Sequence, residues 1–441
     1  MACKEKASTK GLNKDYWLFW FASSLGMGAS NILQYVLSLY VLDITGSATL
    51  FASMLSIIII PRILLTPLAG VLADRVKKIR LMSLILLGEA IVLGIYFLLG
   101  EIVPIGILLI YILVIVLEAG EIFYGGCEAA ILPELVPPEK LKDAIAISKV
   151  DDGVVQVAAP LAAALIYDHL SIAAAFAVIG GLNLLSFVLQ SLIRPKYEVS
   201  HKEERNKSSV WNDFKDGVRC IRSNSFLRGF IKVMPLANAF FGATFSVSVA
   251  YLLRQTFAVE TWVYSTYCSI TAAVSMVVPL IAVPIVKKFK PNKLFYMATL
   301  SIAGGILLIG ITALFGIYHL IPIAVSIVLI TVFDCMTIAA AIPMQMTSSI
   351  MLQTGVEKNI LGRVSATLRM VSIASGAIGE MVFGVLNDAT WVWLPIFLGS
   401  AGVATASIMF RRNIVITDSP ISPTEKSEAQ EELKKELKNE K

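Results

Sequence analysis

Apolar residues along this chain come in blocks of roughly twenty, separated by short polar stretches. Residues 171–193 and 294–318 carry no formal charge at all. A run of about 18 or more apolar residues reads as a transmembrane helix, because the hydrocarbon core is ~30 Å thick and a helix rises ~1.5 Å per residue. The pattern predicts twelve spans, near 16–40, 50–72, 80–99, 105–131, 144–167, 171–192, 230–253, 262–286, 294–314, 320–345, 364–387 and 391–410. The basic N-terminus followed by apolar residues from Tyr16 resembles a signal peptide. The apolar run continues to Tyr40, too far for one, so an uncleaved first span is expected.

The positions of Lys and Arg orient these spans. The N-terminus, the loops after even-numbered spans and the C-terminal tail together hold 33 of the 37 Lys and Arg. The opposite loops hold one, Arg254, and Arg62, Lys149 and Arg369 fall within spans. Cytoplasmic loops carry the basic excess. The expectation is a multi-pass protein of the cell membrane with both termini in the cytoplasm. The net charge of +5 is thereby a topology signal and not a nucleic-acid footprint.

The longest polar break falls between spans six and seven, so the chain divides into six spans and six. The expected units are a first bundle over 1–193, a linker over 194–229, a second bundle over 230–412 and a charged tail over 413–441. In the linker, Trp211, Phe214, Val218 and Ile221 repeat at helical spacing with Lys215, Arg219 and Arg222 between them, as in a helix lying on a membrane surface. An ungapped offset of 220 lays residues 131–168 over 351–388. Leu132, Val136, Leu141, Ala146 and Asp168 then meet identical residues, and Lys149 meets Arg369. Repeated six-span units that handle substrate between them are a transporter architecture.

Composition agrees: 56% of residues are hydrophobic and 16% charged, against about 45–50% and about 25% in soluble domains. The five cysteines are scattered, with no CxxC and no metal-ligand spacing. No phosphate-binding G-x-x-x-x-G-K-[ST] loop and no H-E-x-x-H motif occurs, which disfavours a P-loop ATPase and a zinc protease.

Three motifs carry a family resemblance. After span two, Gly70, Asp74 and Arg75 sit in a stretch similar to the GxxxDRxGRR loop of the major facilitator superfamily, with Lys77 and Ile79 departing from it. The resemblance implies an all-α membrane protein of two six-helix pseudo-symmetric bundles, and a gating role for Gly70, Asp74 and Arg75. Residues 129–137 with Glu139, Lys140 and Leu141, and later Gln353 and Gly362-Arg363-Val364, resemble the subgroup of macrolide-efflux and enterobactin-exporter-like carriers. In span five, residues 153–164 resemble the antiporter motif of exporters. Pro160 matches and Gly153 opens the stretch, while Ala159, Ala163 and Ala164 replace Gly but stay small.

Charges within the spans are the candidate chemistry, because a charge in hydrocarbon costs at least ~2.5–3.5 kcal/mol and marks a path or a partner. In the first half these are Arg62, Glu89, Glu118, Glu121, Asp151 and Asp152, and in the second Asp334, Arg369 and Glu380. Glu118 and Glu121 share a helix face, and two carboxylates in a low dielectric resist carrying two charges at once. Glu118, Glu121, Asp151 and Asp152, with Arg62 as neutraliser, are the proton-coupling candidates. Asn31, Gln34 and Asn238, with Phe241 and Phe245, would line a cavity for an amphipathic ligand. The resulting expectation is a monomeric secondary transporter, not an enzyme. It would use no cofactor, draw on the proton gradient and export a small amphipathic compound. Import of a nutrient or siderophore through the same fold, or a non-transporting sensor, stays open.

Overall fold

The computed structural model describes residues 13–73, 76–194, 219, 225–356 and 358–413. Among them, twelve helices are long and apolar enough to cross a membrane. In order they are Lys14–Thr45, Ala48–Ile57 continuing as Ile59–Ala73, Lys78–Ile102, Ile107–Leu135, Leu141–His169 and Ile172–Ser191 in the first half. The second half has Ser225–Ala243, Thr261–Lys288, Pro291–Ile317, Ile323–Gly355, Lys358–Ala389 and Trp393–Asn413. Span seven continues past Ala243 through two π-helical stretches, Thr244–Val249 and Leu252–Thr256. Its helix begins at Ser225, inside the segment assigned to the linker. The rest of the predicted amphipathic linker helix, apart from residue 219, lies outside the described residues.

Local chemistry explains where the helices begin and end. Asn13 caps span one by accepting from the Tyr16 N–H at 2.9 Å, and its amide donates to the Leu135 carbonyl at 2.7 Å, fixing that end of span four. Gly46, at φ +60°, closes span one with its N–H on the Leu42 carbonyl, and Ser47 then caps span two. Prolines inside spans, such as Pro133, Pro160 and Pro343, are tolerated because neighbouring helices shield the freed backbone groups. Leu64, Leu165, Leu280 and Ile378 are more than half exposed, an outward apolar surface that suits lipid and not water.

The two halves follow one packing plan. In the first, span three packs on four and six, span one on five and six, and span two on four. In the second, span nine packs on ten and twelve, span seven on eleven and twelve, and span eight on ten. Every pair recurs six spans later. The halves meet through span five on eight and span eleven on two, which are themselves exchanged by the same shift. A buried cluster of Leu42, Ala48, Phe51 and Ala52 with Val247 and Ala250 glues them together.

Candidate functional site

The polar wall of the first half is built on span four. Glu118, Glu121 and Glu128 fall at helical positions i, i+3 and i+10 and so share one side of the helix. Glu118 is paired with Arg62 from span two. Glu118, Glu121 and Arg62 line a cavity of about 230 Å3 together with Ser30, Asn31 and Gln34 of span one. Further along, Glu128 accepts a hydrogen bond from Ser23, whose hydroxyl also lies 3.2 Å from that of Tyr124. Asp151 accepts from Ser24 at 2.5 Å, whereas its neighbour Asp152 turns to Lys149 on its own helix at 2.6 Å. Adjacent helical residues point about 100° apart, which separates these two acids. Glu89 is buried, receives the Asn183 amide at 3.1 Å and presses on span four at Gly120.

The second half presents fewer charges. Glu380 accepts from Ser246 at 3.1 Å and, across the halves, from Ser56 at 3.4 Å. Asp334 is 2% exposed and accepts from the Tyr267 hydroxyl at 2.6 Å. Arg369 is exposed and makes no ion pair among the described residues. Phe245 and Ser246, in the π-helical part of span seven, line a second cavity of about 410 Å3 between the halves. Asn31, Gln34 and Leu55 belong to both cavities, so the acidic wall and the space between the halves adjoin. Asn238 and Phe241 line neither. Asn238 donates to the Ser372 carbonyl at 2.9 Å, and Phe241 packs on Phe245 with ring centroids 5.0 Å apart.

Both termini of the described chain lie on one face of the bundle, because twelve spans alternate in direction. At the opposite, far face the halves are joined. The Asp388 carboxylate at the end of span eleven accepts from Ser47 Oγ (2.6 Å), Ala48 N (2.7 Å) and Thr49 N (2.9 Å) at the start of span two. A helix N-terminus offers unpaired N–H groups and partial positive charge, so it holds an anion well. Beside it Arg254 meets Asp43 at 2.6 Å, Tyr167 donates to the same carboxylate at 2.9 Å, and Gln255 donates to the Leu42 carbonyl at 3.0 Å. Gly384 permits this approach, since a Cβ there would lie 2.7 Å from Ala52 Cβ and 2.9 Å from the Ala48 carbonyl. Among the described residues, the hydrogen bonds and ion pairs between halves all lie between this far face and Ser56.

The motif residues named in the sequence are placed as follows. Gly70 is within the second helix of span two, and Asp74 and Arg75 lie outside the described residues. Gly153 faces Met276 of span eight, where a Cβ would come within 2.9 Å, and Pro160 is buried in span five. Glu128 escaped the sequence reading because it sits near the end of its span. Its seven-residue spacing from Glu121, two helical turns along the same face, was the available signal. Among the described residues no His, Cys, Asp and Glu are grouped to hold a metal ion.

Two six-helix bundles related by a six-span shift, with a polar cavity between them, define a membrane transporter fold. The chain belongs to the Major Facilitator Superfamily, whose family model matches residues 19–380. Its fold resembles that of a nucleoside transporter, NupG (TM-score 0.69, 13% identity, 91% of this chain and 99% of that one). It also resembles a bacterial homologue of the iron transporter ferroportin in an inward-facing state (0.67, 15%, 91% and 99%). A D-xylose-proton symporter is similar as well (0.64, 15%, 90% and 97%). No curated protein sequence matches this chain significantly. Fold and family are those of transporters, which are not enzymes.

Proposed function

We propose that this transporter exports a small amphipathic compound, of the macrolide-like or siderophore-like kind, in exchange for protons by alternating access. The observation that carries this reading is the shared wall. Glu118 and Glu121, with Arg62 held on Glu118, line the same cavity as Asn31 and Gln34, and that cavity adjoins the space between the halves. A proton arriving on Glu118 removes the charge that holds Arg62, so proton and substrate act on one surface. Coupling follows if the proton binds one conformation more tightly than the other. The cavity between the halves sets apolar Leu39, Phe51, Leu55 and Phe245 beside polar Asn31, Gln34, Ser38 and Ser246, a mixture that suits an amphipathic ligand.

Export is supported by the span-five stretch from Gly153 to Ala164, whose small residues and Pro160 resemble the exporter motif. With the basic face in the cytoplasm, the cell-membrane protein works as a monomer, and the joint at Asp388 and Arg254 closes its outer side. Loading of Glu118/Glu121, or of Asp151/Asp152, then drives the return.

The test is uptake of a panel of amphipathic compounds into inside-out vesicles under an imposed proton gradient. We expect gradient-dependent accumulation of at least one compound, reduced about tenfold or more in Glu118→Gln or Glu121→Gln. Undiminished coupled transport in the variant combining these with Asp151→Asn and Asp152→Asn would overturn the site. Accumulation in intact expressing cells, in place of depletion, would assign import.

A further inference from the structure

Asp334 is a carboxyl in the middle of span ten that the first half's acidic wall does not touch. Its burial is nearly complete, and Oδ2 accepts the Tyr267 hydroxyl at 2.6 Å. Its other oxygen, Oδ1, is buried and has no hydrogen-bond partner. The ionisable neighbours are Tyr264 and Cys268 of span eight, beside Tyr267, and Cys335 on its own helix. Span nine faces this region with Ile302 and Ile306, and Arg369 of span eleven is exposed and apart. No Lys, Arg or His among the described residues is within ion-pair distance of Asp334.

Such a site cannot hold a charge cheaply. A buried anion with a single hydrogen-bond donor and no cation keeps most of its desolvation cost. The neutral acid fits instead, because its own proton occupies Oδ1 while Oδ2 keeps the tyrosine. The route to that proton is also on hand. Tyr267 lines the 410 Å3 cavity between the halves. It also lines an apolar groove with Trp262, Ile270, Val328, Val332 and Met336. Tyr267 thus borders the central cavity while its hydroxyl is bonded to Asp334.

We propose that Asp334 is a proton-binding site of the second half, separate from Glu118 and Glu121, loaded from the central cavity past the Tyr267 hydroxyl. The proton comes from cavity water and returns to it, so no other reactant is needed. Its place in the cycle rests on the proton-coupled reading above, but proton binding itself does not. The test uses the full chain in liposomes and records infrared difference spectra between alkaline and acid buffer. The expected result is a carboxylic-acid carbonyl band that titrates, is lost in Asp334→Asn, shifts in frequency in Tyr267→Phe, and persists in Glu118→Gln/Glu121→Gln. Should Asp334→Asn fail to fold, Tyr267→Phe decides, since it keeps the ring and removes only the hydrogen bond. An unshifted spectrum in Tyr267→Phe overturns the proposal. A difference spectrum unchanged by Asp334→Asn, or a band that responds to added sodium and not to pH, does so too. Coupled transport undiminished in Glu118→Gln/Glu121→Gln, with this band intact, would count against the first-half assignment alone.

Discussion

Spans five and eleven occupy equivalent places in the two halves and use them differently. Both cross to the opposite half, span five onto eight and span eleven onto two. In span five the cation Lys149 is satisfied by Asp152 three residues on, and the terminal acid Asp168 is exposed with no hydrogen bond among the described residues. In span eleven the matching cation Arg369 has no ion-pair partner among the described residues, and Ser372 stands where span five has Asp152. The matching acid Asp388 instead holds the start of span two with three hydrogen bonds. Gly384 matches Ala164, and at the glycine a Cβ would lie 2.7 Å from Ala52 Cβ of the other half. Apolar packing keeps the common scaffold, so the polar positions were free to acquire separate work.

The strongest way to break this comparison is to crowd the joint. Gly384→Leu overpacks the contact with Ala48 and Ala52, which costs about 1–3 kcal/mol and moves the population away from the far-face-closed state by roughly five- to hundredfold. Labelling of a cysteine placed at Ala250, buried in the joint, from the far face of an otherwise cysteine-free protein would read this, and unchanged labelling would refute the steric argument. A smaller effect should separate the two acids. Asp388→Ala strands the Ala48 and Thr49 N–H groups and should raise the same labelling about fivefold, for ~1 kcal/mol. Asp168→Ala should stay within ~0.5 kcal/mol of the parent. Equal effects would mean that the joint is symmetric after all. The smallest change sharpens the comparison. Ser372→Asp gives Arg369 the i,i+3 acid that Lys149 already has, and should stabilise the protein in detergent unfolding by no more than about 0.3–0.5 kcal/mol, since exposed pairs are screened.

Much of the scaffold is legible in the sequence. Long apolar runs and one-sided Lys and Arg yield twelve spans, and the offset of 220 already aligned Asp168 with Asp388 and Lys149 with Arg369. The site was legible in part. Glu118 and Glu121 are close in sequence, so helical geometry alone places them together. The pairing of Glu118 with Arg62, 56 positions away, and of Ser23 with Glu128, 105 away, was not, because it depends on how helices rotate against one another. Arg254 is a similar case: it was only the exception in a charge count until Asp43 was found opposite it.

Alone, the sequence determined how many times the chain crosses the bilayer, its division into two related sixes, and which few residues carry charge inside it. Those follow from hydrocarbon thickness, helix rise and the cost of burying charge, which act on each segment separately. Only the tertiary structure decided which of the two matched acids would join the halves, which carboxylates would share a cavity and which, like Asp334, would be sealed away with a single tyrosine. Those outcomes depend on contacts a few ångströms wide between distant helices, and small residues such as Gly384 set how closely the backbones approach.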